Sequence, residues 1–202
     1  MTDHYFSDTP ASPDQRRTKD ITLRGRTFLV EVASGTFSPG GVDRGTRVLL
    51  ETAPPPAESG VAVDVGCGWG PITLALASTA PDATVFAVDV NPRARDLTAI
   101  YAATAGLDNV TVITPEDFPA DTAIDTLWSN PPIRIGKKAL HELLTTWLHR
   151  LAPDGNAWLV VAKSLGAESL LTWLNTAHEG AFAAKRFGRD KGFHVIHVTK
   201  AL

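Results

Sequence analysis

Cysteine is almost missing from this 202-residue chain: Cys67 stands alone. A single thiol excludes an intramolecular disulfide framework and a cysteine-rich zinc site, and it suits a reducing, cytoplasmic compartment. Long apolar runs are missing too. The longest, Ala157 to Ala162, is six residues, so no membrane-spanning helix is expected. The opening MTDHYFSDTP is acidic and polar, unlike a secretory signal. No internal repeat marks a solenoid or propeller. The six histidines show no metal-ligand spacing. His194 and His197 lie three apart on an expected strand, so they face opposite sides, and no metal is expected. Excess charge of one sign is also absent. Nineteen Lys and Arg against 22 Asp and Glu leave −3, without the basic surplus usual in nucleic-acid binders.

What is present suits one well-buried globular domain over residues 1–202: 44% hydrophobic and 20% charged residues. The charge is unevenly placed. Residues 51–130 hold eleven acidic side chains and two basic ones, whereas 133–150 and 180–202 carry net charges of +3 and +4. The two basic segments can meet phosphates, and the acidic middle favours a cationic ligand over a polyphosphate.

Residues 8–20 read as an extended arm, and 21–33 as a hairpin around Arg24-Gly25-Arg26. Residues 35–41 are loop, and 42–52 a short helix ending before Pro54-Pro55-Pro56. Apolar strands and helices then alternate. Strands are expected at 61–65, 84–88, 110–113, 124–128 and 157–162. Helices are expected at 71–80, 92–105, 137–151 (closed by Pro153-Asp154-Gly155) and 167–178. Two last strands follow at 182–187 and 193–199. This pattern predicts a doubly wound, mostly parallel seven-stranded α/β sheet, Rossmann-like, behind a short hairpin and helix extension over 1–56. In such sheets ligands bind beyond the strands' carboxyl ends, where strand order reverses. Segments 66–70, 89–91, 114–118 and 129–133 are therefore expected around one crevice.

Gly66, Gly68 and Gly70 follow a strand and precede a helix, where glycine permits a sharp turn and close approach to a ligand. Cys67 lies among them as a small packing residue. The spacing G-x-G-x-G, then Pro71, lacks the third glycine of the dinucleotide fingerprint, which disfavours a nicotinamide cofactor. Asp89 ends the second parallel strand and can accept both hydroxyls of a ribose. Asp64, just before the turn, can face the crevice. Glu116 or Asp117 can accept from an adenine amino group.

The most specific feature is Asn130-Pro131-Pro132-Ile133. Two prolines stiffen the backbone and remove two donors. The carbonyls around Asn130 and Pro131, with the Asn130 side-chain oxygen, then converge as acceptors on one spot. Such a corner suits a planar NH₂ group. Bonds to both of its hydrogens localise the nitrogen lone pair and aim it at an electrophile, so placement and electrostatics carry the rate. Ile133 offers an apolar face to the ring.

Together, Val63 to Gly70, Asp89-Val90-Asn91 and Asn130 to Ile133 resemble class I S-adenosylmethionine-dependent methyltransferases acting on exocyclic or amide nitrogens. His4 to Ser7, Gly35 to Ser38, Asp43 to Arg47, Arg134 to Lys137 and Lys191-Gly192-Phe193 narrow the likeness. They resemble the small methyltransferase domain of the bacterial 16S ribosomal RNA guanine-N2 methyltransferases. Larger members carry a second, degenerate copy ahead of the catalytic one, and only the catalytic-type copy is visible here. Thr36 stands where a valine is usual, and Tyr101 to Gly106 lacks the family's frequent asparagines.

The resemblance implies that S-adenosylmethionine is the cofactor, S-adenosylhomocysteine the product and 57–202 the cofactor-binding catalytic core. Gly66, Gly68 and Gly70 would pass under the methionyl part, Asp64 would lie near its amino group, and Asp89 would hold the ribose. Val90, Asn91 and Cys67 belong to the same lining. Glu116 or Asp117, with Phe118, would frame the adenine. Asn130, Pro131, Pro132 and Ile133 would form the catalytic corner, and Phe37, Arg47, Arg134 and Lys137 the substrate entrance. The expected acceptor is the N2 amine of a guanosine in ribosomal RNA or the small ribosomal subunit. A protein glutamine amide or a small-molecule amine is the alternative with the same chemistry, although Ile133 stands where those acceptors more often have an aromatic residue. A non-catalytic RNA-binding or assembly module is the alternative without it.

Overall fold

The structure, a computed structural model, describes residues 17–32, 41–178 and 180–200. It opens with an antiparallel hairpin, β1 (Arg17–Leu23) against β2 (Arg26–Val32). The turn residues Arg24 and Gly25 have φ of 47° and 85°, the left-handed pair whose twist matches that of the strands. Strand alternation buries Ile21, Leu23, Phe28 and Val30. Helix α1 (Arg44–Thr52) follows, capped by Asp43, whose carboxylate accepts from the Thr46 N–H at 3.1 Å. At its other end the Arg24 guanidinium donates to Leu50 O (2.7 Å) and Ala53 O (2.9 Å). A cation there satisfies carbonyls that the helix leaves unpaired. One turn residue thus fastens the hairpin to the helix.

The rest of the chain builds a seven-stranded sheet: β3 (Ser59–Val65), β4 (Asp82–Val88), β5 (Val110–Ile113), β6 (Ile124–Ser129), β7 (Leu151–Ala162), β8 (Phe182–Asp190) and β9 (Phe193–Lys200). Their order is β5-β4-β3-β6-β7-β9-β8. Strands β3 to β7 are parallel, and β9 runs antiparallel to both β7 and β8. The chain winds outward from β3 to β5 and then returns to lay β6 on the other side of β3. At such a reversal ligands bind beyond the strands' carboxyl ends, here those of β3 and β6. Both faces are covered. The hairpin, α1, α2 (Pro71–Thr79) and α3 (Pro92–Thr104) pack on one, around Leu49, Leu74, Leu76, Trp128 and Val160. Helices α4 (Lys137–Leu148) and α5 (Ala167–Thr176) pack on the other, around Leu127, Leu144, Trp147 and Leu159. Among the described residues no helix is long and apolar enough to cross a membrane.

The doubly wound sheet and its hairpin extension agree with the sequence expectation, but several bounds do not. The fourth long helix stops at Leu148 instead of 151, because Leu151 pairs with Ile124 and already belongs to β7. Pro153-Asp154-Gly155 is therefore no helix stop. It is an excursion inside β7, after which Asn156 pairs with Thr126. Strand β8 runs past Phe187 to Asp190 through a register shift between Arg186 and Gly188. The expected arm is strand from Arg17 onward. His194 and His197 do face opposite sides. His194 meets Glu168 of α5 at 3.4 Å, while His197 stacks on Trp158 on the α1 side.

Candidate active site

The candidate site is built from three strand ends. At the first, the chain leaves β3 and turns through Gly66, Gly68 and Gly70, with φ of 76°, 60° and 95°. The N–H groups of Gly66 and Cys67 both reach Val88 O, at 2.8 and 3.1 Å. A Cβ on Gly66 would meet nothing within 4 Å, so that side of the turn is open. A Cβ on Gly70 would meet Thr98 at 2.9 Å. Glycine there serves the packing of α2 against α3. Thr98 also donates to Gly68 O at 3.0 Å, bracing the turn from behind.

Asp64 is wholly buried on β3. Its Oδ2 accepts from the Thr73 N–H (2.9 Å) and hydroxyl (2.6 Å), tying the strand to the first turns of α2. Among the described residues its Oδ1 has no partner. Burial pushes this carboxyl up to about 7, opposed by the Thr73 bonds and reinforced by the charge of Asp89. A buried acceptor without a donor calls for a ligand that brings one. Cys67 is buried, and its thiol is pushed well up by burial and by the charges of Asp64 and Asp89. It is an inert packing residue.

At the second strand end, both oxygens of Asp89 already accept backbone N–H groups. Gly68 donates to Oδ2 and Asn91 to Oδ1, each at 2.9 Å. Carboxylate oxygens keep lone pairs for further donors, so these bonds fix the group without exhausting it. Asn91 caps α3 through the Arg93 N–H at 2.9 Å, and Arg95 donates to Asp89 O and Val90 O. Val90 itself is exposed. After β5, Glu116 and Asp117 are exposed, and Asp117 accepts from the Thr114 hydroxyl at 2.7 Å. Phe118 is buried, with its ring edge-on to Phe86 and Trp147, both at 5.1 Å, in the core beneath α4.

The third strand end carries Asn130. Ser129, just before it, donates to Val65 O at 2.6 Å and locks β6 to β3. Pro132 has φ −74° and ψ 75°, and the Ile133 N–H reaches Pro131 O at 2.8 Å, an inverse γ-turn. Pro131 O therefore keeps one free lone pair. Ile133 is partly buried against the α4 core, while Arg134, Ile135 and Lys137 are exposed around Gly136. The half-buried Asn130 amide donates through Nδ2 to Asp43 Oδ2 (2.7 Å) and Thr46 Oγ1 (3.1 Å) of α1. Sequence reading missed these partners because they lie 87 and 84 residues away. The only hint was an Asp-Arg-Gly-Thr-Arg run ahead of the first parallel strand. Arg47 is exposed on α1, whose N-terminal end lies at this site. Phe37 lies outside the described residues.

Acidic side chains outnumber basic ones on the β3–β5 side, where Asp64, Asp89, Glu116 and Asp117 stand with Arg93 and Arg95. Basic ones outnumber acidic ones on the side formed by α1 and the segments after β6, β7 and β8, where Arg44, Arg47, Arg134, Lys137, Lys163 and Lys191 stand with Asp43 and Asp190. The first side fits a cationic nucleoside: open glycine turn, partnerless buried acceptor, fixed carboxylate. The second fits an anionic acceptor.

The family model of the methyltransferase small domain matches residues 27–196. The Bacillus subtilis protein YbxB, itself uncharacterized, is 34% identical over 99% of this chain and 100% of its own length. The ribosomal RNA small subunit methyltransferase C of Salmonella arizonae is 32% identical over 86% of this chain but 51% of its own. This chain thus spans about half the length of such relatives. Among solved structures, the T. thermophilus 16S rRNA N2 G1207 methyltransferase (RsmC), in complex with AdoMet and guanosine, superposes with a TM-score of 0.78. It is 23% identical and covers 95% of this chain and 52% of that one, a shared fold.

Proposed function

Since this chain belongs to the methyltransferase small domain family, within the class I S-adenosylmethionine-dependent methyltransferases, we propose that it methylates the N2 amine of a guanosine in small-subunit ribosomal RNA. The observation that carries this reading is the Asn130 amide, held by its nitrogen on α1 with Oδ1 left for an acceptor NH₂. When bound, the cofactor supplies an electrophilic methyl group on a sulfonium. Its methionyl ammonium would meet Asp64 Oδ1, and Asp89 would hold its ribose. Glu116 or Asp117 would receive the adenine amine.

Asn130 Oδ1 and the free lone pair of Pro131 O would each accept one N–H of the target amine. The nitrogen lone pair is then turned out of conjugation with the ring and toward the methyl. Methyl transfer from the sulfonium would raise positive charge on the nitrogen and make both N–H groups better donors to Asn130 and Pro131. The two acceptors therefore bind the transition state more tightly than the ground state. The amine then sheds one proton to solvent.

Guanine N2 is a minor-groove donor in a duplex. The target must therefore be unpaired or extruded, and the more basic side of the site would hold its flanking phosphates. The relatives named as small-subunit methyltransferases support an RNA acceptor. Incubation with methyl-labelled cofactor and either 30S subunits or naked 16S RNA should label one guanosine. Label confined to protein, DNA or small molecules would overturn the acceptor. Asn130→Ala should slow turnover about a hundredfold and leave cofactor affinity within twofold. Equal losses in both would mean Asn130 does not meet the acceptor.

A further inference from the structure

Among the described residues the Asn130 amide is held from α1 and its cap. Asp43 Oδ2 accepts Nδ2 at 2.7 Å, and Thr46 Oγ1 accepts it at 3.1 Å. The same Asp43 oxygen also accepts the Thr46 N–H that begins the helix. We infer that Asp43 is a positioning residue for methyl transfer, one that fixes which end of the Asn130 amide meets the acceptor and strengthens that end.

This inference rests on the reading that Asn130 binds the target amine. An asparagine amide has two nearly isosteric ends, a donor and an acceptor, related by a half-turn of χ2. A target NH₂ is bound only if the oxygen faces it; the flipped amide would set two donors against each other. Asp43 is acceptor-only when ionised, so it admits the NH₂ end alone and settles the choice. Its charge acts a second time. A carboxylate bonded to the amide nitrogen draws the nitrogen lone pair toward the carbonyl, and Oδ1 becomes more negative. The helix cap and the acceptor site thus share one oxygen. Thr46, buried at 4% exposure, holds the same nitrogen from the next turn.

A purely structural role as the α1 cap predicts different behaviour, and two substitutions separate the two. Serine keeps a cap acceptor for the helix but is too short to span to Asn130. Asparagine keeps the reach and loses the charge. In ¹⁵N spectra of the protein with cofactor alone, the Asn130 side-chain NH₂ is assigned by its loss in Asn130→Ser. It should be shifted downfield and slow to exchange, and it should lose both properties in Asp43→Ser. On 30S subunits or 16S RNA, Asp43→Ser should lower kcat roughly 10- to 100-fold with KM and cofactor affinity within about twofold and the thermal midpoint preserved. Asp43→Asn should fall between it and wild type. Adding Asp43→Ser to Asn130→Ala should slow the enzyme no further. Unchanged Asn130 resonances in Asp43→Ser, or an additive double variant, would overturn the inference. Full turnover by Asn130→Ala would instead remove the reading beneath it.

Discussion

Asp64 is a wholly buried carboxyl, with one oxygen on Thr73 and the other partnerless among the described residues. Its pH behaviour follows from its value of about 7 in the fold, against 3.8 ordinarily. Below about pH 4 it is protonated in folded and unfolded chains alike and carries no charge penalty. Between 4 and 7 only the unfolded chain ionises, so stability falls as pH rises; above 7 the penalty is complete. At about 1.4 kcal/mol per pH unit the full span approaches ~4 kcal/mol. Ligand-free protein should therefore lose up to about 3 kcal/mol between pH 5 and 8 relative to Asp64→Asn, measured by urea unfolding. Parallel curves for the two proteins would refute the assignment. Cofactor affinity should run the other way and rise from pH 6 to 7.5, because an ammonium at Oδ1 would select the ionised form. At this scale the sequence singled out candidates but not their wiring. Gly66, Asp89 and Asn130 are legible from their places after strands. Phe118 reads as a pocket residue by the same rule, and its ring turns to Phe86 and Trp147. Position after a strand does not say which way a side chain points.

Two elements carry the site, and each has a residue whose loss would loosen it. Helix α2 begins at Gly70, where φ is 95° and Thr98 leaves no room for a Cβ. Gly70→Ala should destabilise the fold by about 2 kcal/mol or more, lowering the thermal midpoint by several degrees. A midpoint within one degree of wild type would contradict the close approach of α2 and α3. Helix α1 is held at its far end by Arg24. Arg24→Met should cost about 1–2 kcal/mol, read as a lower urea midpoint with an unchanged slope. An unaltered midpoint would mean the two carbonyl bonds contribute nothing. Element types were legible from periodicity and glycine punctuation. The misplaced bounds have one cause: turn chemistry at Pro153-Asp154-Gly155 reads as a terminus, but ladder pairing of Leu151 with Ile124 recruits the segment into β7.

Across the molecule, the small net charge of −3 conceals an uneven spread: residues 51–130 carry eleven acidic side chains and two basic ones, while 133–150 and 180–202 carry net charges of +3 and +4. Binding of 16S RNA should weaken linearly in log affinity against log salt, and Arg134→Ala or Lys137→Ala should each flatten that slope by about one. Slopes indistinguishable from wild type would take these side chains off the RNA path. The sequence by itself determined the alternation of strands and helices, the doubly wound class, the glycine turn and the rigid Asn-Pro-Pro corner, because each is written in local periodicity and backbone chemistry. Only the tertiary structure decided that α1 lies against the end of β6 and turns the Asn130 amide with Asp43, that Asp64 keeps a bare oxygen, and that Phe118 faces inward. Each depends on which residues distant in the chain pack together, and local sequence does not carry that information.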